Sequence, residues 1–331
     1  MLALSGQCVV GIDGGTFSTK AALMREGLVV LAEGRGGPTG HFSGEIGKDR
    51  LERALREATA SLSSFLEEHP ELSLKAVFLG LTGVFIPGKK EAAQEILSEV
   101  FPGCRVTVES DALIAWAGAL AGQSGIAVVA GTGSVAYGRD ADGREVRKGG
   151  FGYLFADEGG AFHVACEGIK AVLKHHDGVG PPTSLSEVLK EHFQVTSVRD
   201  IVGKVYSEDI TVEEIAAISP LIAREASFGD PVCLDIMERA GKSLGRLAVS
   251  ALKEMGSGVR LVSYAGGMFN SGEVLLRPFK EEIQKEVPDA LIIPPRYSPV
   301  IGAGILAWNP ALYKPGRKKH DIGDQERLKK G

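Results

Sequence analysis

The chain has 331 residues, of which 44% are hydrophobic and 24% charged, and a formal net charge of −5. That length accommodates two ordinary globular domains. The acidic balance points away from nucleic acid and from an anionic membrane surface as partners. No run approaches 18 apolar residues and no basic segment precedes the first apolar run, so neither a membrane span nor a signal peptide is expected. Cys8, Cys104, Cys166 and Cys233 form no C-x-x-C pair and read as thiols of a cytoplasmic protein.

In chain order, residues 1–35 read as a β-meander with turns at Gly14-Gly15 and Glu26-Gly27, and residues 36–47 as a glycine-rich loop. Leu51, Ala54, Leu55, Ala58, Leu62 and Phe65 recur at helical spacing and predict a helix over 48–68. A strand over 75–81 ends at Thr82-Gly83, a helix covers 89–101, and a strand covers 105–109. Ser110 is placed as an N-cap, with Asp111 opening a helix through Leu120. Gly125–Ala130 reads as a strand that turns at Gly131-Thr132-Gly133-Ser134 into a second strand. Beyond a loop through Asp157-Glu158-Gly159-Gly160 come a helix over 162–175, a loop over 176–184 and mostly helical pattern over 185–255. A strand over 261–264 enters Ala265-Gly266-Gly267, then a helix over 275–286, a strand over 290–293 and a small-residue helix over 299–308. The polar, net basic tail beyond Lys314 predicts disorder.

Two stretches in this order share one pattern. Val9–Lys20 (VVGIDGGTFSTK) is strand, turn, strand, with Gly14 and Gly15 allowing close backbone approach to an anion and Thr16, Ser18 and Thr19 adding hydroxyl donors. Asp13 would repel a phosphate unless a cation, most simply hydrated Mg²⁺, stood between them. Gly131–Ser134 repeats the arrangement. Its G-x-G-x-x-A spacing also fits a dinucleotide fingerprint, but the turn-like Tyr137–Gly143 follows where that reading needs a helix. No G-x-x-x-x-G-K-[ST] is present. Two related lobes, each offering a phosphate hairpin to a shared cleft, account for the repeat.

Three further clusters carry chemistry. Asp111, at a helix N-terminus, would be stabilised as a carboxylate by the helix dipole and kept ionised near neutrality, fit to take a proton late in phosphoryl transfer. Asp157, followed by Glu158 and two glycines, suits recognition of sugar hydroxyls. Gly266, Gly267 and Asn270 follow a strand and offer a flat shelf for an adenine ring. His175-His176-Asp177 reads as a solvated helix end, and Trp116 and Trp308 as packing residues.

Taken together, these motifs resemble the sugar kinase–Hsp70–actin ATPase superfamily, and within it the BadF/BadG/BcrA/BcrD ATPase family, its N-acetylglucosamine kinases above all. GIDGGTFSTKAAL (residues 11–23) is similar to the first phosphate segment, ESDALIAWAGA (109–119) to the segment of the catalytic aspartate, and VVAGTGSVAYG (128–138) to the second phosphate segment. GGFGYLFADEGG (149–160) and YAGGMFNSG (264–272) resemble the sugar and adenosine segments. The resemblance implies an α/β, two-lobed actin-like ATPase (ribonuclease H-like) fold, duplicated, with mixed sheets flanked by helices. The lobes would span 1–118 and 119–298, followed by a helix over 299–313 packing back toward the first lobe and a basic tail over 314–331. It implies ATP and Mg²⁺ as cofactors, an amino sugar as acceptor and no nucleic-acid or membrane partner, and it is compatible with a homodimer. By the same resemblance Asp111 is catalytic and Asp13 organises the metal. Gly14, Gly15, Thr16, Ser18, Thr19, Lys20, Gly131, Thr132, Gly133, Ser134, Gly266, Gly267 and Asn270 hold the nucleotide. Thr39, Gly40, Asp111, Gly150, Phe151 and Asp157 hold the sugar. The chain departs from the family at Phe17, at Phe151 (a tryptophan in the usual segment), at Ala156 and Gly160, and in the loop Gly37–His41, which lacks the usual asparagine. The same family contains ATPases that activate 2-hydroxyacyl-CoA dehydratases or drive benzoyl-CoA reductases, the alternative activity, but no closely spaced cysteines are present to hold the activators' iron–sulfur cluster.

Overall fold

The computed structural model describes residues 6–40, 44–206, 210–256 and 258–313. Its framework is one strand order used twice. In the first sheet β1 (Gly6–Gly14), β2 (Thr19–Arg25) and β3 (Val29–Gly36) form an antiparallel meander. Helix α1 (Gly44–Glu68) then leads to β4 (Leu72–Leu81), and α2 (Lys89–Val100) leads to β5 (Arg105–Ser110), both strands running parallel to β1. The order across the sheet is β3-β2-β1-β4-β5.

After α3 (Asp111–Leu120) the scheme recurs with β6 (Gly125–Ala130), β7 (Ser134–Arg139) and β8 (Glu145–Gly149) as the meander. A run of helices takes the place of α1: α4 (Ala161–His176), α5 (Leu185–Phe193), α6 (Val198–Val205), α7 (Val212–Ala216), α8 (Ser219–Ser227) and α9 (Pro231–Met255). Then come β9 (Leu261–Ala265), α10 (Glu273–Glu286), β10 (Leu291–Ile292) and α11 (Pro299–Trp308). The second sheet is ordered β10-β9-β6-β7-β8, the same sequence of roles. The expected tail over 314–331 lies outside the described residues.

Strand periodicity explains how the layers are assigned. On β1, Cys8, Val10 and Ile12 pack with Leu51, Leu55 and Leu62 of α1, whereas Val9 faces the opposite side. A strand buried on both faces reads as a continuous apolar run, as Cys8–Ile12 does. Helix α1 starts at Gly44 rather than at Lys48, because Gly47 is buried and continues the stripe one turn upstream, so packing overrides the low helical propensity of glycine. Ser110 caps α3 as expected, its Oγ accepting from Leu113 N at 3.4 Å. Every residue of α3 after Asp111 is buried, as a helix apolar all round must be.

That burial arises because α3 and α11 lie between the two sheets. Val9, Ala22, Met24 and Phe78 of the first sheet, Ala127, Val135 and Tyr137 of the second, and the buried faces of both helices make one apolar layer. The helices cross where neither has a side chain. A Cβ on Gly302 would overlap the Ile114 carbonyl and the Gly118 backbone nitrogen, and one on Gly118 would meet the Ser298 carbonyl at 2.5 Å. Tyr297 N–H donates to the Gly118 carbonyl at 3.1 Å and Arg296 N–H to that of Ala119 at 3.0 Å, closing the end of α3.

Gly302→Ala is therefore expected to cost about 1–3 kcal/mol of stability, since backbone must move to admit the methyl group. Gly203→Ala, on α6 with nothing near its Cβ, should be neutral or gain up to about 1 kcal/mol. Urea midpoints of the two variants with an unchanged slope would check the contrast.

Candidate active site

The tips of both hairpins open into one cleft. Asp13, Gly15 and Thr16 from the first hairpin line a cavity of about 460 Å³ together with Gly131–Ser134 from the second. Asp111, Gly40, Gly150, Asp157 and Gly266 line it too. A second cavity of about 650 Å³ adjoins it, with Phe17 and Gly131 lining both, and holds Gly267 and Asn270. Gly14, Ser18, Thr19, Lys20, Thr39 and Phe151 do not line either cavity. Thr19 is fully buried and spends its hydroxyl on the Gly37 carbonyl at 2.8 Å. Thr39 is also buried, its N–H and hydroxyl both directed at the Gly15 carbonyl at 3.0 and 3.1 Å. These threonines hold the first turn against the loop after β3 instead of reaching into the cleft. Phe151 is 84% exposed.

Glycine is required at the second turn for a definite reason. A Cβ on Gly133 would overlap the Asp157 carboxylate, and one on Gly160 would meet the Thr132 carbonyl at 2.7 Å. The carbonyls of Gly131 and Thr132 accept from Ala161 N and Phe162 N at 2.8 and 3.1 Å, fastening the turn to the start of α4. Thr132 Oγ1 and Asp157 Oδ1 are buried with no partner among the described residues. Asp157 itself sits at φ +66°, a left-handed conformation that aspartate tolerates better than most residues. Burial pushes its carboxyl up, against the backbone N–H groups of Gly152, Phe151, Gly150 and Ser134.

Three carboxylates dominate the electrostatics. Burial, and then Asp111, push Asp13 up to about 6, with Lys20 opposing. Asp111 accepts from Ala112 N at 2.9 Å. Its carboxyl is raised rather than lowered: desolvation outweighs that N–H, Arg147, the Thr82 hydroxyl and Lys89, all of which favour the charged form. The helix terminus alone is worth only about 0.3–1 kcal/mol, so burial decides the sign, contrary to the sequence expectation.

Several lining groups carry no sequence signal of that kind. The wall of the second cavity opposite Gly267 and Met268 comes from Ala216, Ala217, Pro220, Ala223 and Arg224, within or beside α7 and α8. Arg147 on β8 lines the first cavity, its guanidinium 5.4 Å from the centre of the Phe85 ring, which belongs to the turn after β4. Lys89 lies behind the wall, with no exposed surface; its ammonium donates to the Thr82 carbonyl at 2.8 Å and the Gly40 carbonyl at 3.1 Å. It thereby ties the loop after β3 to the loop after β4. The signal for Lys89 is a local conflict: Lys89 and Lys90 open α2, where the helix dipole disfavours cations.

Two mixed sheets of one topology, with a hairpin from each facing a common cleft, are the fold of actin-like ATPases and sugar kinases. The profile of the BadF/BadG/BcrA/BcrD ATPase family matches residues 10–307, and the chain belongs to that family. It is 30% identical over 304 residues to an N-acetylmuramic acid/N-acetylglucosamine kinase of Clostridium acetobutylicum, covering 90% of this chain and 97% of the relative. It is 26% identical over 318 residues to an N-acetyl-D-glucosamine kinase of Dictyostelium discoideum, covering 92% and 99%. Among solved structures, a ROK family glucokinase of Streptomyces griseus in complex with glucose and AMPPNP shares the fold with a TM-score of 0.62 at 18% identity, covering 91% of this chain and 99% of that one.

Burial lowers Lys89 to about 8 from its ordinary 10.5, partly opposed by Asp111. Between those two values the unfolded chain holds the proton that the folded chain has released, so stability rises with pH across that window and the penalty is full below it. The stability of the wild type relative to Lys89→Met should therefore grow by about 1–3 kcal/mol from pH 8 to pH 10.5. Urea unfolding of both proteins at each pH measures it, and a flat difference would remove Lys89 as a strained buried cation.

Proposed function

We propose that this protein is an ATP-dependent kinase that transfers the γ-phosphoryl group of ATP to a hydroxyl of an amino sugar, N-acetylglucosamine being the first choice of acceptor. The observation that carries the reading is that Asp13, Thr132, Asp111 and Asp157, drawn from four separate segments, face one cleft. The kinase names of the full-length relatives support it.

In this reading the triphosphate lies between Gly15–Thr16 and Gly131–Gly133, and Thr132 Oγ1 supplies a donor to a phosphate oxygen. The base and ribose occupy the adjoining cavity against Gly266, Gly267 and Asn270. The acceptor lies toward Asp157, Gly40 and Gly150. Asp111 takes the proton of the acceptor hydroxyl as that oxygen bonds to the γ-phosphorus and ADP departs. Its raised proton affinity suits that task, since a base is most useful when its pKa approaches the working pH.

The carboxylates also fit a divalent cation. Asp13 and Asp111 each stand in the other's field, a repulsion that a positive ion would relieve. Asp13 would hold Mg²⁺ through water, and the ion would neutralise phosphate charge. The outlying residues act at one remove: Thr19 and Thr39 hold the first turn in shape, and Lys89 fixes the loops carrying Gly40 and Thr82.

Asp111→Asn should fold normally and lose roughly 10²–10⁴-fold in kcat, the range general-base removal gives, with a smaller change in sugar KM. A coupled ADP assay across a panel of sugars and amino sugars reads both. Sugar-dependent ADP release by the wild type is the expected result. Sugar-independent release, or near-normal turnover in the variant, would overturn the reading.

A further inference from the structure

The cleft contains a cation whose side-chain N–H groups have no hydrogen-bond partner among the described residues. Asp13, Asp111, Asp157 and Glu213 all line it, and Arg147 is the only basic side chain lining it among the described residues. Lys89 stands behind the wall with its ammonium engaged by two carbonyls. The Arg147 side chain makes no hydrogen bond or ion pair to any described residue; it acts on Asp111 through its charge alone and stacks on the face of Phe85. A guanidinium stacked on an aromatic ring is held in orientation while the N–H groups along its edge remain free. That edge matches a carboxylate in two parallel hydrogen bonds.

Its place in the cleft decides which anion it serves. Phe17 and Gly131 mark the nucleotide end, since they line both cavities; Arg147 and Phe85 line only the outer one. Arg147 also borders Gly150, whose Cβ would lie 2.7 Å from the guanidinium. Gly150 N–H is one of those facing the Asp157 carboxylate. We propose that Arg147, braced by Phe85 from the opposite sheet, is the specificity residue by which the site accepts an amino sugar carrying a carboxylate, a substituent that the four acidic side chains would otherwise repel. This rests on the amino-sugar kinase reading and names the acceptor class within it.

The test compares N-acetylmuramic acid with its methyl ester, one methyl group larger but uncharged, alongside N-acetylglucosamine. With the wild type, kcat/KM for the acid should exceed that for the ester by about tenfold, as expected for one charge-assisted pair in a partly exposed site. In Arg147→Leu the acid-to-ester ratio should fall to about one or below, and Arg147→Lys should restore part of it. Equal use of acid and ester by the wild type would overturn the proposal without needing any variant. A ratio that survives in Arg147→Leu while every acceptor slows alike would also overturn it, assigning Arg147 to the transferred phosphate. Phosphorylation of N-acetylglucosamine with no use of the acid would sink this inference alone, whereas phosphorylation of no sugar would sink the kinase reading beneath it.

Discussion

The close approach of two helix backbones, at Gly118 on α3 and Gly302 on α11, is the constraint on which the cleft depends. Each helix leaves the edge strand of its own sheet and lies in the layer between the sheets. With no side chains at the crossing, the two sheets can approach closely enough for both hairpin tips to face one ligand-sized space. A residue-sized spacer there would part the sheets and widen that space by the same amount. The N-termini of the two helices also open on the cleft, for Asp111 and Pro299 both line it. Packing directly behind the cleft thus sets where its lining residues sit.

Electrostatics impose the second constraint. Several acids gathered in a partly desolvated cleft cannot all be comfortable as anions. Asp13 and Asp111 are pushed up together, and Lys89 is held in place by carbonyls although burial disfavours its charge. Such opposed shifts are a mark of sites built for charged ligands. They also explain why the local argument about Asp111 gives the wrong sign. A helix terminus contributes a partial charge within one turn, whereas desolvation acts on the whole carboxylate.

Most of the strand and helix order was legible, because the central strands, buried on both faces, read as short apolar runs ended by turns and the helices as stripes of period 3.6. The two glycine hairpins were legible because their turns need residues without a Cβ. Gly133 has to clear Asp157, and a Cβ on Gly15 would crowd the Ser18 carbonyl at 3.1 Å. What could not be read was which hydroxyls point outward and which point back. Thr16 and Thr19 look equivalent in the sequence, yet Thr16 lines the cleft while Thr19 is buried against Gly37. The register of β2 decides that: Thr19 already pairs with Gly14 as the first residue of the strand. Arg147 and the α8 wall were invisible for another reason, and Lys89 showed only as a misplaced cation at the start of α2. Each acquires its role from a contact with a segment distant in the chain, and a single sequence encodes the residue but not the neighbour.

Duplication supplies the last step, because the two halves are alike in topology and unlike in charge. Where the first hairpin carries Asp13, paired with Lys20, the second carries Val129, paired with Val135. Where α3 opens with Asp111, α11 opens with Pro299 behind Ser298. The first half thus keeps the acids suited to a cation and a proton. The second half has replaced the single helix α1 with the α4–α9 insertion, which builds one wall of the second cavity. An arrangement symmetric in charge would have put a second carboxylate opposite Asp111, against the same phosphates, and raised the repulsion without adding a second acceptor. On the kinase reading, the second half alone would hold the flat apolar end of the nucleotide, while turns from both halves would share its phosphates. On the same reading, Asp157 and Arg147, both from the second half, would be left to hold the acceptor.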